Sequence, residues 1–134
     1  MPLLLIADED VQARDNMLQL FGETDYQVVA ANSVDVVMRD VIKKEAQVVL
    51  LGNAFDNIPA GELIPLLKKC NQKLTIIFVS NEESLPLLRK LRGEGVFYHA
   101  LKPAAREDRE ELLQAVKCAF ENVTGQSTSP GIAK

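Results

Sequence analysis

Little in this sequence supplies covalent or metal chemistry. It holds one histidine, His99, and two cysteines, Cys70 and Cys118, none with a second His or Cys at a metal-ligand or redox spacing. Each cysteine falls inside a helix-like pattern, so both are expected as small packed thiols in a reducing compartment rather than as a disulfide scaffold. No glycine-rich phosphate loop of the GxGxxG kind is present, and no His or Cys stands beside a plausible base. A nucleotide binder or small enzyme is therefore the weakest reading. Basic runs are limited to the pairs Lys43–Lys44 and Lys68–Lys69 in a chain of net charge −4. Such a surface does not attract a polyanion, and direct nucleic-acid contact is not expected. Long apolar runs are missing too. The opening MPLLLIADED has no basic flank and meets three acids at once, which suits neither a signal peptide nor a membrane span. The chain reads as cytoplasmic.

What is present suffices for one core: 134 residues, 47% hydrophobic and 25% charged. Five short apolar runs, Leu3–Ala7, Gln27–Ala31, Gln47–Leu51, Leu74–Val79 and Val96–Leu101, alternate with segments of helical spacing. This pattern predicts an α/β domain with a parallel sheet covered on both faces. The first helix carries Ala13, Met17, Leu20 and Phe21 on one stripe, and Ser33 is placed to cap a second bearing Val34, Val37, Met38, Val41 and Ile42. A third follows Ala60 with Leu63, Ile64 and Leu67, its Pro65 expected in the first turn. The fourth, Ser84 to about Arg92, is expected to bury Leu85, Leu88 and Leu91 before Gly93 and Gly95 end it. The fifth, about Arg106 to Phe120, buries Leu112, Leu113, Val116, Ala119 and Phe120, and its early acids suit the helix dipole. Composition then turns to Gly, Ser, Thr and Pro. The domain is expected over 1–121, with a flexible tail or linker over 122–134.

In an open parallel sheet, ligands gather beyond the carboxyl ends of the strands. Here those ends carry Asp8, Glu9 and Asp10, then Gly52 and Asn53, then Ser80 and Asn81, then Lys102-Pro103. The acidic triplet alone is also a good helix N-terminus, with Asp10 near the cap.

Taken in this order, LLIADED with Arg14 following, VVLLG, IIFVS and EGVFYHALKP resemble the receiver domain of bacterial response regulators. The resemblance implies a flavodoxin-like (βα)5 fold with strand order 2-1-3-4-5. It also implies two-component signalling, in which a histidine kinase passes a phosphoryl group to an aspartate at the end of the third strand. Magnesium is held by that aspartate and the acids after the first strand, to which Asp8 and Glu9 correspond. The hydroxyl and the lysine that contact the phosphoryl group fall on Ser80 and Lys102, and the aromatic switch falls on His99. The aspartate falls on Gly52.

Glycine has no side chain to act as the phosphoryl acceptor. Asp56, four residues on, is the alternative acceptor, though with Asn57 and Pro59 nearby it also reads as a turn residue. Asp8 and Glu9 could still hold magnesium, but weakly: losing one carboxylate ~5 Å away at an effective dielectric near ~20 forgoes about 3 kcal/mol of attraction. Lys102 is expected to pair with Asp8 or Glu9 instead. His99 reads either as a ring filling the aromatic's space or as a pH-responsive rotamer. The expected function is a pseudo-receiver without phosphorelay chemistry and without enzymatic activity. It would bind a kinase, another receiver or itself through residues 84–120. An active receiver using Asp56 is the competing expectation.

Overall fold

The computed structural model describes residues 2–123. The elements run β1 (Leu3–Ala7), α1 (Val11–Phe21), β2 (Gln27–Ala30), α2 (Val34–Ile42), β3 (Ala46–Leu51), β4 (Ala54–Phe55), β5 (Ile58–Pro59), α3 (Ala60–Cys70), β6 (Thr75–Val79), α4 (Leu85–Gly93), β7 (Val96–Ala100) and α5 (Arg106–Val123). Five strands form one sheet in the order β2-β1-β3-β6-β7, with every pairing parallel. Setting aside the β4–β5 hairpin, this is the 2-1-3-4-5 order expected from the sequence. The order reverses between β1 and β3, which makes the carboxyl ends of those strands the topological switch point.

Alternation along the central strands builds two cores. Leu4, Ile6, Val48 and Leu50 face Ala13, Met17 and Phe21 of α1 and Leu112, Val116, Ala119 and Phe120 of α5. Leu5, Ala7, Val49 and Leu51 face Val37, Val41, Leu63, Ile64, Leu67 and Leu91 on the other side. Because β1 and β3 are buried on both faces, their sequences are continuous apolar runs. Helix starts are fixed by side-chain oxygens: Asp10 accepts from the Ala13 amide, Ser33 from Val36 and Ser84 from Leu87.

The structure differs from the sequence reading at several points. Pro65 lies at the sixth position of α3, beyond the first turn, and removes the helix hydrogen bond to the Gly61 carbonyl. Of the α4 leucines only Leu91 is buried; Leu88 is half-buried and Leu85 is 60% exposed. Helical spacing gave that helix its face, but not how closely the face meets the sheet. Helix α5 continues to Val123, two residues past the expected boundary at 121, and the rest of the expected tail lies outside the described residues.

The β4–β5 hairpin is an element the apolar runs did not reveal. Asp56 and Asn57 form its two-residue loop with φ of 54° and 63°, the doubly left-handed geometry of a type I′ turn. Asp and Asn tolerate that region best among residues with side chains. Gly95 adopts φ of 120° between α4 and β7, and a Cβ there would also press on the aliphatic stem of Lys68. Lys68 passes beneath it to donate to the carbonyls of Gln72 and Leu74, and burial lowers its pKa.

Candidate functional site

At the switch point the two central strands are joined by the Gly52 amide, which donates to the Ala7 carbonyl at 3.0 Å. Asp8 follows Ala7 and is only 2% exposed. Its carboxylate lies against the bare Cα of Gly52, so that a Cβ at position 52 would overlap Asp8 Cγ and both carboxylate oxygens. The volume left by the missing side chain on β3 is filled from β1. Asp8 Oδ1 accepts from the Asp10 amide at 2.9 Å, while Oδ2 is buried without a partner among the described residues. Burial is the largest influence on this carboxyl and raises its pKa; the Asp10 amide and Lys102 pull the other way.

Asp10 faces outward and is held differently. It caps α1, and its Oδ2 accepts from Lys102 Nζ at 2.7 Å. The lysine hydrogen bond, then the Ala13 amide, keep the Asp10 pKa below its ordinary value. The lysine thus pairs with Asp10 and not with Asp8 or Glu9 as expected, because Asp8 is turned inward over Gly52 and Glu9 is engaged elsewhere. The Lys102 amide donates to Asn81 Oδ1, tying the end of β7 to the end of β6.

Glu9 Oε1 accepts from the Asn57 amide at 3.1 Å, and the Glu9 amide donates to the Ala54 carbonyl at 3.2 Å. Asp56 Oδ2 accepts from the Val34 amide at 3.0 Å, at the first turn of α2. The hairpin is therefore a strap from the β3–α3 connection to two other loops: it holds Glu9, the second acid of the family's metal pair, and its own Asp56, the alternative acceptor, reaches α2. Ser80 is fully buried, and its hydroxyl accepts from the Glu82 amide at 3.0 Å.

His99 is half-buried, its Nε2 2.8 Å from the Ser80 carbonyl and its ring 5.4 Å from that of Phe78. A carbonyl only accepts, so Nε2 carries the hydrogen of this bond. Neighbouring Tyr98 faces the opposite side, where its hydroxyl donates to Glu111. Burial first, then this bond, push its pKa up to about 12.

Of the two acids that correspond to the family's magnesium pair, Glu9 is bonded through Oε1 to the Asn57 amide and Asp8 keeps a buried Oδ2 unpartnered among the described residues, while Gly52 adds no ligand.

The sequence matches the response regulator receiver domain over residues 4–117. The chain belongs to this family. Over 130 residues this receiver domain is 25% identical to the DNA-binding transcriptional regulator NtrC of Azospirillum brasilense, a match that covers 97% of this chain and 26% of that protein. The chain thus spans about a quarter of the length of the curated relative it matches. Its fold is similar to the signal receiver domain of an HD domain-containing protein from Pseudomonas fluorescens Pf-5, at a TM-score of 0.81 and 20% identity, covering 93% of this chain and 90% of that one. It is also similar to a CheY-like receiver domain protein from Methanospirillum hungatei JF-1, at a TM-score of 0.76 and 20% identity, covering 94% and 96%. At such identities these likenesses establish the fold alone.

The structure gathers Asp8, Asp10, Gly52 and Lys102 around one end of the receiver's sheet, with Ser80 and His99 linked beside them. The sequence reading missed Asn57, Ala54 and Val34 as partners in the strap. The Asp-Asn pair between short apolar segments was the available signal for the turn. Nothing in sequence spacing pointed to Tyr98 with Glu111, which meet across a strand and a helix.

Proposed function

We propose that this receiver domain works without aspartyl phosphorylation, as a protein-interaction module of a signalling system. The observation that carries the proposal is the Asp8 carboxylate seated in the space of the missing acceptor at Gly52. An acyl phosphate requires a carboxylate oxygen that a donor can reach. Gly52 has none, Asp8 is buried, and the exposed Asp56 carboxylate is held through Oδ2 at the Val34 amide, at the start of α2. The competing reading, in which Asp56 accepts phosphate, needs its exposed carboxylate to be brought to Lys102 and Ser80, whereas its Oδ2 is held at the Val34 amide.

On this reading the domain is not an enzyme and takes no cofactor. It acts in the cytoplasm, and it meets its partner, a kinase, another receiver or a second copy, through residues 84–120. His99 stands in for the mobile aromatic switch as a ring tethered to the Ser80 carbonyl, so the surface is presented in one state. No helix among the described residues is long and apolar enough to cross a membrane. DNA contact, part of the name of the NtrC relative, is not assigned to these residues, which belong to a chain of net charge −4.

Incubation with acetyl phosphate and Mg²⁺ followed by intact-mass measurement tests the proposal. The expected result is an unchanged mass; a phosphoryl adduct mapped to Asp56 would establish the competing reading.

A further inference from the structure

The amino ends of the strands, opposite the Gly52 site, carry a local excess of positive charge in a chain whose net charge is −4. A cavity of about 350 Å³ opens there at the starts of β6 and β7, beside the last turn of α5, with Leu74, Phe97 and Val123 in its walls together with Lys68 and Lys73. A smaller one, of about 130 Å³, shares Lys73 and Val123 with it and adds Lys44. Neither cavity has a carboxylate in its walls; Glu45, Glu94 and Glu121, the acids nearest in sequence, line neither. None of the three lysines forms an ion pair among the described residues.

Lys68 is fixed in place. Its Nζ donates to the Gln72 and Leu74 carbonyls at 2.7 and 2.8 Å, which supply acceptors but no countercharge, and burial is the one cause that lowers its pKa. An ammonium has three donors, so one remains. The dipole of α3 accounts for a cation in its last turn, but not for Lys73, which stands beyond the helix in the loop before β6. We propose that this cavity binds a small organic anion, a phosphate or carboxylate carried on an aromatic or short apolar body. The anionic group lies between Lys68 and Lys73, and the body rests on Leu74, Phe97 and Val123. Lys68 then gains the countercharge that its surroundings withhold, and Lys44 adds to the positive field at the mouth. The volume falls within the ~300–1,000 Å³ of small-molecule sites, and mostly apolar walls with a few convergent polar groups are their usual composition. The assignment is independent of the interaction-module reading, which concerns the other end of the sheet.

The probe is phenyl phosphate, titrated into the full chain and followed by NMR, with inorganic phosphate and phenol as its two halves. It is expected to move the amides of Thr75, Gly95 and Phe97 and the ε-methylene of Lys68 in one saturable process, and to weaken as salt rises. Burial of the ring should make it bind about tenfold or more tightly than inorganic phosphate, and phenol should bind as weakly. Lys73→Gln, on an exposed side chain, should weaken it about fivefold through loss of one charge, whereas Lys117→Gln, the same change of charge on the exposed side of α5, should leave it unaltered. The shifts in the unmutated protein locate the site independently of variant folding. No saturable shift, shifts confined to the carboxyl ends of the strands, inorganic phosphate binding as tightly as the ester, or equal weakening by Lys117→Gln would overturn the proposal. So would nuclear Overhauser contacts between Phe97 and residues 124–134 in the ligand-free chain, which would place the chain's own end in the cavity.

Discussion

The carboxylate of Asp8 occupies the position from which a side chain at Gly52 would leave the backbone. Gly52→Ala is therefore expected to destabilise the domain by about 1–3 kcal/mol through overpacking, although φ at Gly52 lies outside the left-handed region. In an Asp8→Ala background the same change should cost under about 1 kcal/mol, because the colliding atoms are gone. Urea denaturation of the four proteins of this cycle measures the coupling; additive costs would show that the two residues do not compete for space. Gly52→Asp alone is expected to lose stability without gaining phosphate from acetyl phosphate.

Stability should depend on pH through Asp8. Its folded pKa is raised above the ordinary 3.8, so the folded state binds the proton more tightly than the unfolded chain. The Asp8 contribution is then most favourable below 3.8 and declines as pH rises through the raised value. Asp8→Asn retains an oxygen for the Asp10 amide and carries no charge. It should match or trail the wild type at low pH and gain on it as pH is raised through that window. Denaturant midpoints across pH measure this, and a constant difference would contradict it.

Lys102 acts on two acids in the same direction. Removing its amine in Lys102→Ala should move the Asp10 pKa up toward 3.8 and drive the Asp8 pKa further upward. Carboxyl ¹³C titration reads both. Because Asp10 is depressed, its contribution to stability is present above 3.8 and disappears as pH falls through its lower folded value, a loss the variant should show in reduced form because the Ala13 amide still holds the carboxylate.

The strap can be loosened at its turn. Asp56→Ala removes the acceptor from the Val34 amide and leaves a Cβ residue at φ of 54°. The combined cost should be about 1–3 kcal/mol, whereas Asp56→Asn, which keeps an oxygen and tolerates the left-handed region, should cost well under half of that. Hydrogen exchange at Val34 and Asn57 distinguishes loosening of the strap from global unfolding.

On the α5 side of β7, Glu111→Gln should lower the Tyr98 pKa from about 12 without returning it to 10.0, because burial and not the hydrogen bond is the larger cause. Ultraviolet titration of the phenol measures it. Tyr98 contributes its stabilisation below pH 10.0, and the contribution is lost as pH rises through about 12.

The fold was legible in the sequence because parallel strands buried on both faces leave uninterrupted apolar runs, as Val48, Val49, Leu50 and Leu51 do. The residues at the end of the sheet were legible for the same reason: Asp8, Gly52, Ser80 and Lys102 each follow such a run. Their partners were not. Asp8, Glu9 and Asp10 are consecutive acids, yet one is folded inward, one reaches the hairpin and one takes the lysine. That division depends on side-chain direction and on a two-stranded hairpin whose strands are too short to show alternation. The α4 leucines have the spacing of a buried face, but the separation of that face from β7 is a tertiary quantity that no local pattern encodes.

The order in which substitutions could restore an acceptor also follows from Asp8 and Gly52. An acid introduced at 52 while Asp8 stays in place enters filled space, whereas displacing Asp8 first gives up the one buried carboxylate that a metal would need. On the proposed reading neither first step alone yields phosphate chemistry, so the present arrangement behaves as a ratchet in sequence space that only paired changes at the two positions release.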